Sequence, residues 1–225
     1  MAQQERAIRT REKILLAAAE VFDEVGYDAA TISEILKRSG VTKGALYFHF
    51  SSKEELAQAV LANQLASVPP APRQDLVLQQ GLDETLVLAY LLAKGDPMVR
   101  GSVRLTVDQV APGDGLDRRI PMQGWIDHNA DLLGKAKQSG EVLPHIDVDA
   151  VARMFVGAFT GVQMLSKIMT GHADMTDRVM DLYRHLMTSI AVPAVLVRLD
   201  FSPDRGERVY EAALKLREAG QPASV

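Results

Sequence analysis

The chain has no cysteine, which excludes disulfides, thiol nucleophiles and cysteine-ligated metals. That absence agrees with a reducing cytoplasm, the expected location. Tryptophan occurs once, at Trp125, so an aromatic wall for any binding site has few sources. The first residues, Met1 to Arg6, lack the apolar core of a signal peptide, and no apolar run reads as long enough to span a bilayer. No membrane partner is therefore expected. The histidines (His49, His128, His145, His172, His185) show no paired metal-ligand spacing, and neither a phosphate-cradling glycine loop nor a G-x-S-x-G occurs. Carboxylates are not clustered among apolar neighbours, the condition for raised-pKa acid–base work. No enzyme activity, cofactor or metal site is expected. A basic excess is missing too: the net charge is −4, while residues 1–50 balance seven Lys/Arg against seven Asp/Glu. Nucleic-acid binding would have to depend on where charges sit rather than on their sum.

What is present is organised around Val41 to Phe50. Thr42 has the chemistry of an N-cap, with Lys43 and Gly44 in the first turn behind it. Glycine is a poor helix former, so Gly44 suits a close approach of backbone to another molecule. Tyr47 and His49 carry polar tips on aromatic bodies, while Leu46, Phe48 and Phe50 are expected to pack inward. Upstream, Thr31-Ile32-Ser33-Glu34 fits a capping box, and Gly40 stops the helix that it starts. Helix, glycine turn and second helix make a helix-turn-helix, whose second helix reads a major groove.

The remaining pattern is helical throughout. Residues 6–25 read as a first helix with Ile14, Leu15, Ala18, Val21, Phe22 and Val25 on one face and Gly26 at its end. Arg6, Arg9 and Arg11 at its start suit phosphates or a minor groove, and suit a solvated, flexible start equally. Ser52 to Glu55 is another capping box, opening a helix to about Ser67 that ends before Pro69. Asp96-Pro97 starts a helix to about Val110, and Ala111 to Gly115 is a loop. Further helices run from near Pro121 to Gly140, from Asp147 to Gly171, from Thr176 to Ile190 and from Ser202-Pro203 onward.

The second part is apolar along nearly every helix, with isolated polar residues. Trp125 fits either a core or the aromatic wall of a small-molecule pocket. Thr160 and Gln163, three apart on one helix, can face one cavity or be satisfied core groups. Asp108 interrupts an apolar run in the same way, and Gln64 lies far enough along its helix to face the second part, or equally to be an exposed glutamine at the helix end. Gly157 and Gly161 share a helix face and suit either close intramolecular packing or a dimer contact.

The stretch "TISEILKRSGVTKGALYFHFSSKEELAQAV" resembles the DNA-binding core of the TetR family, a likeness covering roughly residues 6–60. With "RLTVDQ", "GLDRR", Trp125 and "SIAVPAVLVRLD", the whole chain resembles the γ-butyrolactone autoregulator receptors within that family. The resemblance implies an all-α, Ω-shaped homodimer with an N-terminal three-helix helix-turn-helix domain at 1–51 and a C-terminal helical ligand-binding and dimerisation domain at 52–225. Residues 52–68 would be the connecting helix. It implies a repressor released from a palindromic double-stranded DNA operator by a γ-butyrolactone or butenolide hormone, or, in relatives that have lost the hormone, by an antibiotic or other xenobiotic. The recognition helix maps onto Thr42 to His49 and the pocket tryptophan onto Trp125. The expected DNA-facing residues are Arg6, Arg9, Thr31, Thr42, Lys43, Gly44, Tyr47, His49 and Lys53. The expected ligand-facing residues are Gln64, Leu88, Leu105, Asp108, Trp125, Thr160 and Gln163.

Overall fold

Short polar side chains in extended backbone close the helix starts, because each supplies an acceptor to an N–H that has no partner within its helix. In the computed structural model, which describes residues 2–107 and 115–219, the order is α1 (Ala2–Ala29), α2 (Ile32–Ser39), α3 (Lys43–His49), α4 (Lys53–Ala62), α5 (Gln64–Ser67) and α6 (Val77–Lys94). There follow α7 (Pro97–Val107), α8 (Arg119–Gln138), α9 (Val148–Thr170), α10 (Met175–Ile190), α11 (Pro193–Leu196) and α12 (Arg205–Glu218). Among the described residues the only extended pairing is an isolated bridge between Val142 and Ala191. The all-helical expectation holds. The ends of the 96–110 helix and of the 111–115 loop fall partly outside the described residues.

The described residues divide into two compact units, Met1–Ser67 with Gly95–Pro121, and Val68–Lys94 with Met122–Val225. This differs from the expected boundary between residues 51 and 52. The reason is packing: α4, α5 and α7 all lie with the helix-turn-helix. The expected connecting helix at 52–68 is also broken. Asn63 sits at φ −84° and ψ −1°, its side-chain amide donating back to the Ala59 carbonyl, so α4 ends there and α5 starts anew.

In the first unit α1 supplies the central stripe. Ile14, Leu15, Ala18, Val21 and Phe22 are buried against Ile35 of α2, Leu46 of α3, Leu56 and Leu61 of α4, and Leu105 of α7. Val25 stays exposed, since Gly26 (φ 77°) turns the chain immediately after it. α7 crosses α1 so closely that a Cβ at Gly101 would lie 2.2 Å from the Ala19 carbonyl oxygen. Lys53 fastens the start of α4: its ammonium donates to the carbonyls of Tyr27 (2.9 Å), Ala30 (3.1 Å) and Asp28 (3.4 Å), and lies 4.4 Å from the Tyr27 ring centroid.

In the second unit the buried charges are matched. The Asp83 carboxylate, 0% exposed, takes a two-pronged bond from Arg205 (2.6 and 2.8 Å) and a third from Gln79 (3.0 Å), which ties α6 to α12. Asp200 also receives Arg205, and bonds from Ser202, Arg205 and Arg208 overcome its burial to hold it below the usual carboxylate range. Glu141 caps α6 from a distance in sequence, accepting the N–H groups of Val77 and Leu78 at 2.9 Å each. Asp147 caps α9 as expected, and Gly171 (φ 63°) ends it. The last helix starts at Arg205 rather than at Ser202-Pro203; Ser202 instead accepts the Arg205 N–H through its carbonyl.

By length and composition α9 is the one helix among the described residues able to cross a membrane. The uncharged run within it, between Arg153 and Lys167, is shorter than a span.

Because backbone rather than a mobile side chain meets position 101, Gly101→Ala is expected to destabilise the fold by about 1–3 kcal/mol, the cost of overpacking. A lowered urea midpoint at unchanged slope would report it; an unchanged midpoint would mean α7 does not cross α1 this closely.

Candidate nucleic-acid interface and apolar cavity

Three residues separate α2 from α3, and Gly40 makes that possible. It adopts φ 65°, ψ 19°, with its N–H on the Leu36 carbonyl, a left-handed geometry that costs glycine nothing. The Thr31 hydroxyl accepts the Glu34 N–H and the Thr42 hydroxyl accepts the Ala45 N–H, both at 3.2 Å. Both expected caps therefore form.

α3 turns Leu46 and Phe50, four apart, into the core. Phe48 does not follow them: it is 80% exposed. At about 100° per residue it stands on the opposite side of the helix from its neighbours at 46 and 50. The exposed side presents Thr42, Lys43, Gly44, Tyr47 and Phe48, with His49 half-buried and edge-on to Phe48 (5.0 Å between centroids). The Lys43 ammonium lies 5.9 Å from the Tyr47 ring centroid, one turn away. A Cβ at Gly44 would meet nothing within 4 Å.

Arg6 and Arg9 are exposed near the start of α1. The expected phosphate role of Lys53 meets a competing use, because its donors are spent on the three carbonyls that end α1. Arg38 is likewise committed: it binds Glu24 through two nitrogens (2.6 and 2.8 Å) and lies within 4 Å of Glu20 and Glu34. Its positive charge is balanced on the spot.

The expected ligand-facing residues are distributed over both units. Leu105, 1% exposed, is core of the first unit, and Gln64 is buried in that unit as well. The helices carrying these two pack with the helix-turn-helix. Asp108 lies outside the described residues. In the second unit Leu88 and Gln163 are buried, and Thr160 donates to the Val156 carbonyl of its own helix (2.8 Å). Trp125 is half-buried, edge-on to His128 at 6.3 Å.

A cavity does exist in the second unit, of about 20 Å³. Leu78 and Gly81 of α6 form one side, and Asn129, Leu132 and Leu133 of α8 another. Phe155 of α9 and Tyr183, Leu186 and Met187 of α10 complete it. The Asn129 amide donates to the Trp125 carbonyl, which places the tryptophan one turn away along α8. Tyr183 donates to the Gly81 carbonyl and meets the Thr85 hydroxyl, each at 2.8 Å. Burial pushes its hydroxyl up, so it stays neutral. These lining residues were missed in the sequence because they come from four helices and each reads alone as ordinary core.

α9 shows a second unusual surface. Met154, Met164, Leu165, Ile168 and Met169 are exposed, the last two at 71% and 68% in that order. Gly157 and Gly161 lie on the same helix with nothing within 4 Å of where a Cβ would stand. Among the described residues nothing packs closely against either glycine.

Comparison with known proteins agrees with this arrangement. The family model described as bacterial regulatory proteins of the tetR family matches residues 14–60, and that of the tetracyclin repressor-like C-terminal domain matches 78–193. The chain is 41% identical over 199 residues to the A-factor receptor protein of Streptomyces griseus, covering 88% of this chain and 70% of that protein. It is 68% identical to native full-length TylP, a TetR regulator from Streptomyces fradiae, whose crystal structure matches with a TM-score of 0.88 over 93% of this chain and 99% of that one. A crystal structure of a γ-butyrolactone receptor, described as ArpA-like, matches at 29% identity and a TM-score of 0.62, covering 95% and 98% of the two chains. The chain belongs to the TetR family of bacterial regulatory proteins. It is a transcriptional regulator related to the A-factor and γ-butyrolactone receptors.

Beside the cavity, His128 of α8 meets Glu84 of α6 at 2.8 Å. That hydrogen bond, against the effect of burial, raises the His128 pKa above its ordinary value, while bonds from His128 and Gln80 outweigh burial to lower that of Glu84. A raised histidine stabilises the fold fully below its unfolded pKa, about 6.5, and loses that contribution as pH rises through the folded value. The histidine's contribution to holding α6 to α8 is therefore expected to fade as pH rises through that raised folded value. Titrating the imidazole by NMR should give a midpoint above about 6.5, and Glu84→Gln should lower it. Equal midpoints in the two proteins would exclude the pair.

Proposed function

We propose that this regulator is a ligand-released repressor. As a homodimer it binds a palindromic double-stranded DNA operator, and a diffusible hormone of the γ-butyrolactone or butenolide type lowers that affinity. It acts in the cytoplasm without catalysis, cofactor or metal.

The observation that carries the DNA half is Gly44. Glycine is less favourable than alanine in a helix, by up to about 1 kcal/mol in an interior; Gly44 stands in the first turn of α3, yet the chain's own packing leaves open space around it. Close approach of another molecule between Lys43 and Tyr47 accounts for a glycine that the fold does not need. A nucleic-acid backbone or base edge is the partner that a lysine, a threonine and a tyrosine on one exposed helix face suit best.

The exposed apolar face of α9 supports the homodimer, since a second copy would cover Ile168, Met169 and the bare patch at Gly157 and Gly161. Two recognition helices in a dimer must meet successive major grooves ~34–36 Å apart. A hormone that favours a conformer with another spacing weakens operator binding, and by linkage the operator weakens hormone binding equally. The hormone class rests on the likeness to receptors of that kind.

The test is a gel shift on a palindromic operator at fixed salt, titrated with a γ-butyrolactone. Release by the lactone is expected; specific binding without release would reassign the ligand to an antibiotic or other xenobiotic, and no specific binding would end the repressor reading. Lys43→Ala should weaken operator binding. A base contact would show as about 1–3 kcal/mol of lost discrimination, a phosphate contact as a salt slope reduced by roughly one. Gly44→Ala should leave the fold at least as stable, by at most about 1 kcal/mol, while lowering operator affinity; undiminished affinity would remove the close approach.

A further inference from the structure

One wall of the cavity differs from the others. Leu78, Leu133, Phe155 and Met187 are buried core, but Leu132 and Asn129, three apart on α8, are only half-buried. The isobutyl group of Leu132 rests on Gly81: a Cβ there would lie 2.9 Å from one of its Cδ atoms and 3.3 Å from the other. Leu132 thus fills a notch that exists because position 81 of α6 has no side chain. The backbone under the notch is held firmly, since the Gly81 carbonyl accepts the hydroxyls of Tyr183 and Thr85 at 2.8 and 2.9 Å. Leu132 itself, an aliphatic side chain with no hydrogen bond to hold it, is half-buried and so reaches solvent on one side, and leucine has more than one staggered rotamer.

At about 20 Å³ the cavity has room for roughly one water. Enlarging it through Tyr183 would break two hydrogen bonds, one of them buried. Enlarging it through Leu132 breaks none. The lining carries no charged side chain; its polar groups are the Asn129 amide and the Tyr183 hydroxyl. A carboxylate or ammonium would be desolvated there without a counter-charge, whereas a neutral aliphatic chain would not.

We propose that Leu132 is a gate, and that its outward rotation joins the notch over Gly81 to the cavity and admits the unbranched aliphatic chain of a neutral ligand. The size of the residue at 132 then sets the chain length that binds best. Applied to a lactone hormone, this rests on the function proposed above; the cavity's preference for an aliphatic chain does not.

The experiment is isothermal titration calorimetry on the full-length protein without DNA. The probes are γ-lactones with short, medium and long unbranched alkyl substituents. Leu132→Ala is expected to move the tightest-binding chain length upward, with a smaller move in Leu132→Val. Gly81→Ala, which crowds the notch, is expected to weaken the longest lactone at least tenfold while sparing the shortest. Should Leu132→Ala fail to fold, Leu132→Val carries the comparison. The same length preference in all four proteins, or binding by none of them, overturns the gate. The parallel gel shift separates the two readings. A shifted length preference without operator release keeps the gate and defeats the hormone function, and release with an unshifted preference does the reverse.

Discussion

The first unit depends on the backbone contact between Gly101 and Ala19. That close approach brings α7 onto α1, where Leu105 closes the same core that holds Ile35 and Leu46. The second helix of the helix-turn-helix, α3, has seven residues, too few to be stable alone. What keeps it in place is Leu46 and Phe50 in that core, with Thr42 closing its first turn. Binding chemistry on α3 therefore stands on a helix some fifty residues further along the chain.

Charge is handled locally rather than by excess. A chain of net charge −4 does not advertise a nucleic-acid partner. Yet Arg38 is surrounded by three glutamates and Lys53 by three carbonyls, whereas Lys43 extends from an exposed turn beside an aromatic ring. The buried Asp83–Arg205 pair follows the same logic in the second unit. Breaking one partner of such a pair leaves a stranded charge, so these contacts hold their helices in one register more than they add stability.

How much was legible in the sequence follows from the range of each interaction. Caps at Thr31, Thr42, Ser52 and Asp147 were readable because donor and acceptor lie within a few residues of each other. So was the left-handed turn at Gly40. The break at Asn63 was not, since a helical pattern continues through it. Phe48 was misjudged because an apolar residue on a short helix says nothing of which side it faces. The assignment of α7 to the first unit, and a cavity drawn from residues between 78 and 187, rest on contacts across long stretches of chain. Periodicity carries no information about those.

The interruption of the first unit has a consequence for synthesis. Its chain leaves at Ser67 and returns at Gly95. A nascent protein released to residue 67 presents every helix of the DNA-reading motif, yet the side of α1 that α7 covers is still bare. Roughly forty more residues must emerge before the regulator can hide it. During that interval the apolar surface around Ala18 and Ala19 is open to chaperones and to other nascent chains. The order of genetic encoding thus makes completion of the second unit's first helix, α6, a step on the way to a finished first unit.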